Sequence, residues 1–375
     1  MSSPAVTALG TTDPLARAFE LFWHPVCTAD ELHVAAESSR PVGVTLLGKR
    51  LVVAELDGTL VALDARCPHR SASLACGAVE AGGLRCAYHG WQFDDTGRCI
   101  DIPSMPGGPI PARAVVGAYD VQEAYGLVWV RLDGTAGTEL PALPAWGDPG
   151  FRMIAGVPYT WPVGAPRRVE NFVDLAHFAF VHDGSLGRRD DPVPPIPEVG
   201  RLAGELRFRY DPPDMDVEDS AMYGSSQYRM PMPLTVSIEF RLPTGANRFL
   251  WMTASPLDMG SCRAFWWHGR DDDLDGDDEP YIAFQARVLA EDEPVVCSQD
   301  PAPLPLDPTE ELSVRTDKVS IEYRRYLRDI ADAAASSPAT LCALLQGSPG
   351  TDQCRERSEP LVGQRAAPPG LLERA

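Results

Sequence analysis

Arg66-Cys67-Pro68-His69-Arg70, followed by Arg85-Cys86-Ala87-Tyr88-His89-Gly90-Trp91-Gln92-Phe93, is the stretch on which the reading of this 375-residue chain turns. Only seven histidines occur in the whole sequence, yet two of them sit here, each within three residues of a cysteine. The two pairs, C-x-H and C-x-x-H, are separated by sixteen residues. Zinc would accept two thiolates and two imidazoles in tetrahedral geometry. Zinc fingers, however, group their cysteines in one pair and their histidines in the other. Here each arm carries one of each, in loops with Gly77, Gly82, Gly83 and Gly90 around them. That mixed order suits a two-iron, two-sulfide cluster with cysteines on one iron and histidines on the other.

With both arms in view, the run resembles the cluster loops of the Rieske non-heme iron oxygenases. Ala87 stands where that family often has proline, a change that alters loop stiffness and removes no ligand. Respiratory Rieske proteins add a disulfide between the loops; the corresponding positions here are Ala72 and Tyr88, so no bridge is expected. Cys76 and Cys99 are then expected to be small buried residues. The flanking segments support a small antiparallel β domain. Residues 44–47, 50–55 and 60–64 alternate or run apolar, with turn signals at Gly48 and Asp57-Gly58. Residues 93–102 read as another hairpin, and 115–121 with 126–132 close the set.

From Pro166 the apolar spacing changes to that of a helix, with Val169, Phe172, Val173, Ala176 and Phe180 in phase. On it lies Asn171-Phe-Val-Asp174-Leu-Ala-His177, and then His182. Asp174 and His177 would share a face. His177 and His182 would be about 140° apart on an ideal helix. Both can reach one ion only if the helix ends or bends near Phe180, and Asp183-Gly184 is a fitting stop. Two unrelated histidines remain the plain alternative. Two histidines and a carboxylate with open positions form the facial triad of oxygen-activating ferrous sites.

The run N-x-x-D-x-x-H-x4-H also resembles the mononuclear iron motif of the same family. The resemblance implies that His177 and His182 are iron ligands and that Asn171 lies just behind them. It implies that Asp174 links the iron-bound histidine to the cluster histidine of a neighbouring subunit. The family places its third ligand far along the chain, and Asp292 is the best candidate. A helix there would align Asp292 with Val288, Phe284 and Tyr281 on a core-facing stripe, with Glu291 and Glu293 about 100° to either side. Glu291 as ligand, or a solvated helix face, is the alternative.

The resemblance covers about residues 20–330 and implies an α+β chain. An N-terminal segment (1–40) precedes an antiparallel β Rieske domain (41–150) and a catalytic domain (151–335) with a curved antiparallel sheet in a helix-grip-like arrangement. It implies a [2Fe-2S] Rieske cluster, held by Cys67, His69, Cys86 and His89, and a mononuclear Fe(II). Electrons would come from NAD(P)H through a reductase, often with a ferredoxin, and cross between subunits of a homotrimer. The implied function is an oxygenase component that hydroxylates, or O- or N-demethylates, an apolar and aromatic small molecule with O2. Ring cis-dihydroxylation and oxidative cyclisation are the alternatives within enzymes. A Rieske-type electron carrier is the alternative outside oxygenases, and it would need only the first ~110 residues, one ordinary domain.

Composition narrows the partners. Acidic residues outnumber basic ones 53 to 33, a net charge of −20 that disfavours nucleic acid and anionic membrane surfaces. No apolar run approaches the roughly 18 residues of a membrane span. Nine cysteines without an export signal argue against a disulfide framework, so a cytoplasmic protein is expected. Asp271–Gly276 copies the start of a calcium loop, but its twelfth position is Ile282, so a solvated loop is the better reading. His24, His33 and His268 are expected in core or surface roles. Residues 205–268 read as a sheet, and its methionines (215, 222, 230, 232, 252, 259) as core or as an adaptable pocket. Asp307-Pro-Thr-Glu310 looks like the start of a helix running to about Ile330, with Arg324 and Arg325 outward. Residues 336–375 are expected to be a disordered tail.

Overall fold

The computed structural model describes residues 13–202, 204–211 and 225–346. Met215 and Met222 therefore lie outside the described residues. A short helix α1 (Pro14–Phe19), strand β1 (His24–Thr28) and helix α2 (Ala29–Glu37) come first. They are not a separate leader. β1 pairs with β10 (Leu127–Arg131) at the edge of a six-stranded antiparallel sheet, so the first domain begins before residue 41. The sheet continues through β9 (Ala118–Ala124), β4 (Thr59–Asp64) and β3 (Lys49–Leu56) to β2 (Val42–Leu46). The expected turns form its hairpins. Asp57 and Gly58 both adopt positive φ (48° and 82°), the conformation a two-residue connection needs to match strand twist.

Four shorter strands, β5 (Ala78–Glu80), β6 (Gly83–Arg85), β7 (Gln92–Phe93) and β8 (Cys99–Asp101), make a second sheet. The Cys67 loop leads into this sheet and the Cys86 loop joins two of its strands. Leu74, Leu84 and Phe93 fill the core beneath them. Cys99 joins that core as expected, whereas Cys76 is exposed. Cys76 ends a single turn of 3-10 helix in which Leu74, two residues earlier, takes the inward position.

The second domain is built on one antiparallel sheet. In order these strands are β11 (Arg152–Ala155), β18 (Ser261–Arg270), β17 (Asn247–Asp258), β16 (Thr235–Arg241), β15 (Ser225–Met232), β14 (Glu205–Tyr210) and β13 (Val199–Leu202), with β12 (Tyr159–Trp161) also on β18. β15 alternates buried and half-buried residues, as a strand covered on one face does. β16 and β17 are buried on both faces. One face meets the helices α3 (Ala165–Val173), α5 (Glu279–Val296) and α6 (Lys318–Ser336). The other meets the Rieske domain through an aromatic seam. Trp129 lies 6.1 Å from Trp251, Tyr125 bridges to Trp146 and Trp251, and Trp146 packs edge-on to Trp267.

Three expectations for the C-terminal part need correction. The stretch from Asp307 is a turn, in which Asp307 accepts hydrogen bonds from the Thr309 amide and hydroxyl. The long helix starts only at Lys318, and Leu312, inside the stretch expected to be helical, is 94% exposed. A capping pattern needs an apolar stripe directly behind it, and here that stripe begins at Val319. Arg324 does not point outward: it is paired with Glu170 and Glu311, while Arg325 is exposed. After α6, Pro338–Gln346 forms a further helix, α7, whose Leu341 is buried, so the chain is still ordered past 336. Residues 347–375 lie outside the described residues. Among the described residues no helix is long and apolar enough to cross a membrane.

Trp129 is fully buried at the seam between the domains and bonds the Ala124 carbonyl at 3.0 Å. Trp129→Ala is expected to cost about 3–5 kcal/mol, as truncation of a buried aromatic does, read as a lower midpoint of denaturant unfolding.

Candidate functional site

Each cluster loop is a tight turn of the same form. The Ser71 amide donates to the Cys67 carbonyl at 2.9 Å, and the Gly90 amide to the Cys86 carbonyl at 3.0 Å. The last residue of each turn, Ser71 or Gly90, has positive φ (59° and 73°). Pairing of the Cys67 amide with Ala72 and of the Cys86 amide with Trp91 closes the bases of the loops. Cys67 and Cys86 come within hydrogen-bond reach of one another at the core end. At the outer end the His69 and His89 ring centroids are 4.5 Å apart, with His69 stacked on Trp91. All four predicted ligands thus converge. His69 Nδ1 is enclosed and has no hydrogen-bond partner, as a nitrogen reserved for a metal would be. Burial, with a contribution from the Cys86 thiol, pushes the Cys67 thiol up to about 11. Such a thiol becomes an anion by giving its proton up to metal binding. The residues fit a two-cysteine, two-histidine cluster.

The second site forms where α3 stops. The sequence leaves a bend near Phe180, but the break comes earlier: Asp174 is already extended (φ −75°, ψ 135°). A separate turn, α4 (Phe178–Val181), follows, with His177 at its start and His182 at its end. Asp174 holds the break together. It accepts from the Ala176 amide at 3.0 Å and from His177 Nδ1 at 3.2 Å. A short turn brings the rings together in place of a continuous helix, and their centroids are 5.0 Å apart.

α5 supplies the third group. The stripe read from sequence holds: Phe284, Val288 and Asp292 are buried along it. Asp292 Oδ1 lies 3.5 Å from His177 Nε2 and 3.2 Å from His182 Nε2. One ligand atom from each of the three residues falls within 4.8 Å of the others, a spacing a single metal ion can bridge. Asn171 Nδ2 donates to the same Asp292 oxygen at 3.1 Å.

Two partners were not anticipated in their actual roles. Glu291, weighed as an alternative ligand, instead accepts from His182 Nδ1 at 2.7 Å, with Ser185 donating to the same carboxylate oxygen. Each histidine is therefore held at Nδ1 by a carboxylate, which leaves its Nε2 lone pair toward the shared centre. Arg168, absent from the sequence reading, donates to Asn171 Oδ1 and to Tyr159 Oη, both at 2.6 Å. The adjacent Glu-Asp pair was a readable signal for the first. The second offered none, because a buried arginine has no pattern of its own.

The remaining histidines lie apart from both centres. His24 is buried against the Phe19 carbonyl and His33 is exposed near Glu123. His268 is buried within β18 beside Tyr281. Asp271 caps the Asn247 amide in a surface turn rather than opening a calcium loop.

Two domain models match the chain: a Rieske [2Fe-2S] domain over residues 22–120, and a vanillate O-demethylase oxygenase C-terminal domain over residues 162–333. The chain belongs to the Rieske non-heme iron oxygenases. It is an oxidoreductase of that family, whose cofactors are the Rieske cluster and a mononuclear iron. Its relatives include the methylxanthine N1-demethylase NdmA of Pseudomonas putida, 43% identical over 83% of this chain and 89% of that one. The methylxanthine N3-demethylase NdmB of the same organism is 42% identical over 84% of this chain and 90% of its own length. The solved structure of NdmA with caffeine superposes with a TM-score of 0.83, covering 89% of this chain and 97% of NdmA at 40% identity. Dicamba monooxygenase, at 22% identity and a TM-score of 0.70, shares the fold.

Proton competition at His182 sets a pH dependence. Its burial opposes protonation, but the hydrogen bonds and charges of Asp292 and Glu291 outweigh that and raise its pKa above 6.5. In the metal-free chain the pairing with His182 therefore stabilises the fold fully below the unfolded value, and that contribution fades as pH rises through the folded one. Iron needs the neutral ring, so its affinity moves in the opposite sense. Fe(II) titrations of the iron-free chain are expected to show about tenfold weaker binding per pH unit below the raised His182 value; a flat profile between pH 8 and 6 would contradict this. Asp292→Ala is expected to abolish iron binding at this site while the visible spectrum of the cluster persists.

Proposed function

We propose that this chain is the oxygenase component of an N-demethylating Rieske system acting on a planar, methylated aromatic heterocycle of the methylxanthine type. The observation that carries it is the convergence of His177, His182 and Asp292, in a chain more than 40% identical to two methylxanthine demethylases across most of its length. Cys67, His69, Cys86 and His89 hold the cluster in this reading, and the facial triad holds ferrous iron. When bound, the iron with dioxygen supplies the oxidising chemistry and the cluster the electrons for it.

The side chains do the positioning. Asp174 and Glu291 keep a proton on Nδ1 of His177 and His182, so that each Nε2 stays a free donor pair. Asn171 steadies Asp292 from behind. On the inner face of the sheet Phe178 meets Tyr210 edge-on, and Phe208 stacks on Tyr228 at 4.3 Å. Aromatic surfaces of this kind would suit a flat ring. Hydroxylating an N-methyl carbon consumes O2, two electrons and two protons. The product collapses to the free N–H and formaldehyde, with one water released.

Electron entry is read as intersubunit, in a head-to-tail homotrimer fed by a ferredoxin or reductase. Asp174 and His177 line a pocket that opens at the surface, with Leu312 exposed on its wall. Tyr88, next to the cluster ligand His89, is 64% exposed. A second copy presenting its cluster loop to that pocket would make the head-to-tail contact from which a cyclic trimer is built. A cytoplasmic setting fits a supply that starts from NAD(P)H.

The test is reconstitution with a ferredoxin and reductase, followed through substrate-dependent NADH oxidation, formaldehyde release and product mass. Methylxanthines are expected to give one formaldehyde per turnover; a product that keeps every methyl group and gains oxygen on the ring would replace this reading with ring oxygenation. Asp174→Asn is expected to retain both metals and slow coupled turnover by about tenfold or more, as changes behind a metal ligand do. Unchanged coupling would remove the bridging role of Asp174.

A further inference from the structure

Arg168 is enclosed in α3 at 1% exposure. Its guanidinium lies among three rings, 4.9 Å from the centroid of Trp161, 5.2 Å from Phe172 and 5.6 Å from Tyr159. It donates through Nε to Tyr159 Oη and through Nη1 to Asn171 Oδ1, both at 2.6 Å. One helical turn on, Asn171 turns Nδ2 to Asp292 Oδ1 at 3.1 Å. That oxygen is the one that faces both histidine Nε2 atoms.

A side-chain amide has two ends of nearly the same shape, an acceptor oxygen and a donor nitrogen. Nothing in its own geometry tells Asn171 which end to present to Asp292. A guanidinium can only donate, so it admits only the oxygen. The nitrogen is then forced toward the carboxylate. Without that constraint the amide can rotate and set its oxygen against an anionic oxygen at close range, in a buried site where such a clash is poorly screened.

We infer that Arg168 is a positioning residue for the iron site: it fixes the orientation of the Asn171 amide, and through it the Asp292 oxygen that faces the ligand centre. The inference rests on the assignment of His177, His182 and Asp292 to iron. Arg168 makes no hydrogen bond to His177, His182 or Asp292: its contact with the centre runs through Asn171, while its positive charge also favours the ionised Asp292 carboxylate.

The experiment uses the full chain with its cluster intact. Fe(II) affinity is measured by competition with a chelator, and the electron paramagnetic resonance of the Fe(II)–NO adduct is recorded with the cluster oxidised and diamagnetic. Arg168→Met is expected to weaken Fe(II) binding about 10- to 100-fold and to change the rhombicity of the adduct signal. Asn171→Ala is expected to do the same, and the double variant that combines it with the charge-keeping Arg168→Lys to be no worse than Asn171→Ala alone, because both changes break one relay. Cluster absorbance and cooperative unfolding report that the fold is retained. Arg168→Lys, which keeps the buried charge, carries the comparison if the methionine variant does not fold. One ammonium cannot reproduce the fork to Tyr159 and Asn171, so a smaller loss in the same direction is expected. Parental affinity and signal in Arg168→Met or in Arg168→Lys would overturn the role, as would additive losses in the double variant. Failure of the unmutated chain to bind Fe(II) would instead overturn the iron assignment beneath it.

Discussion

A carboxylate and two imidazoles enclosed together are tolerable only when every polar atom has a defined partner, and the catalytic domain is arranged around that requirement. Asp292 is 4% exposed and His182 1%. Around them Asp174, Glu291 and Asn171 take up the outward-facing nitrogens and the carboxylate. These contacts leave one set of atoms, two Nε2 lone pairs and one Oδ1, turned inward on a common centre. The coordinating geometry is thus what remains after the surrounding hydrogen bonds have been made. A second buried network, Arg324 with Glu170 and Glu311 and Arg167 with Glu311, ties α3 to α6 and to the segment before it. Removing one member of such a network would strand a charge, so the helix that carries Asn171 is strongly held.

The break after α3 shows how local conformation serves that centre. An uninterrupted helix would leave His177 and His182 facing different directions. The extended Asp174 interrupts it, and its own carboxylate stabilises the interruption by accepting from the Ala176 amide and from His177. The residue that ends the helix is therefore also the one that orients the first histidine. The Rieske loops solve a comparable problem with two similar turns, each closed by a residue at positive φ, on a sheet filled from beneath by Leu74, Leu84 and Phe93. Both centres sit on rigid elements, as precise ligand placement requires.

The two domains meet through tryptophan and tyrosine, with the Arg263–Glu31 ion pair beside them, although the chain carries a large acidic excess. Buried aromatic contact gives the seam large apolar area with directional packing. The strands that carry it are β17, through Trp251, and β18, through Trp267, and β17 is buried on both faces. Family membership and the superposition with NdmA fit this arrangement. The identity spans both domains, not the cluster loops alone.

Spacing singled out the two Cys-His pairs, and the resemblance to the family's iron motif pointed to His177, His182 and Asp292, which the fold brings together. Metal ligation demands particular side chains at short separations, and a helix stripe carries its phase in the sequence. The β hairpin with the Asp57-Gly58 turn could be read for a related reason, since positive φ restricts the residues that fit. What the one-dimensional pattern could not hold was anything created by pairing distant segments. Glu291 lies next to Asp292 in sequence, but that it grips His182 depends on how α5 meets the turn after α3. Arg168 and Arg324 look like ordinary surface cations until folding encloses them beside Asn171 and Glu170. The helix expected from Asp307 failed because its capping residues had no apolar stripe immediately behind them. The sequence by itself determined which atoms could bind metal; the tertiary structure decided which way they face, because the hydrogen bonds that turn His182 and Asp292 join segments more than a hundred residues apart.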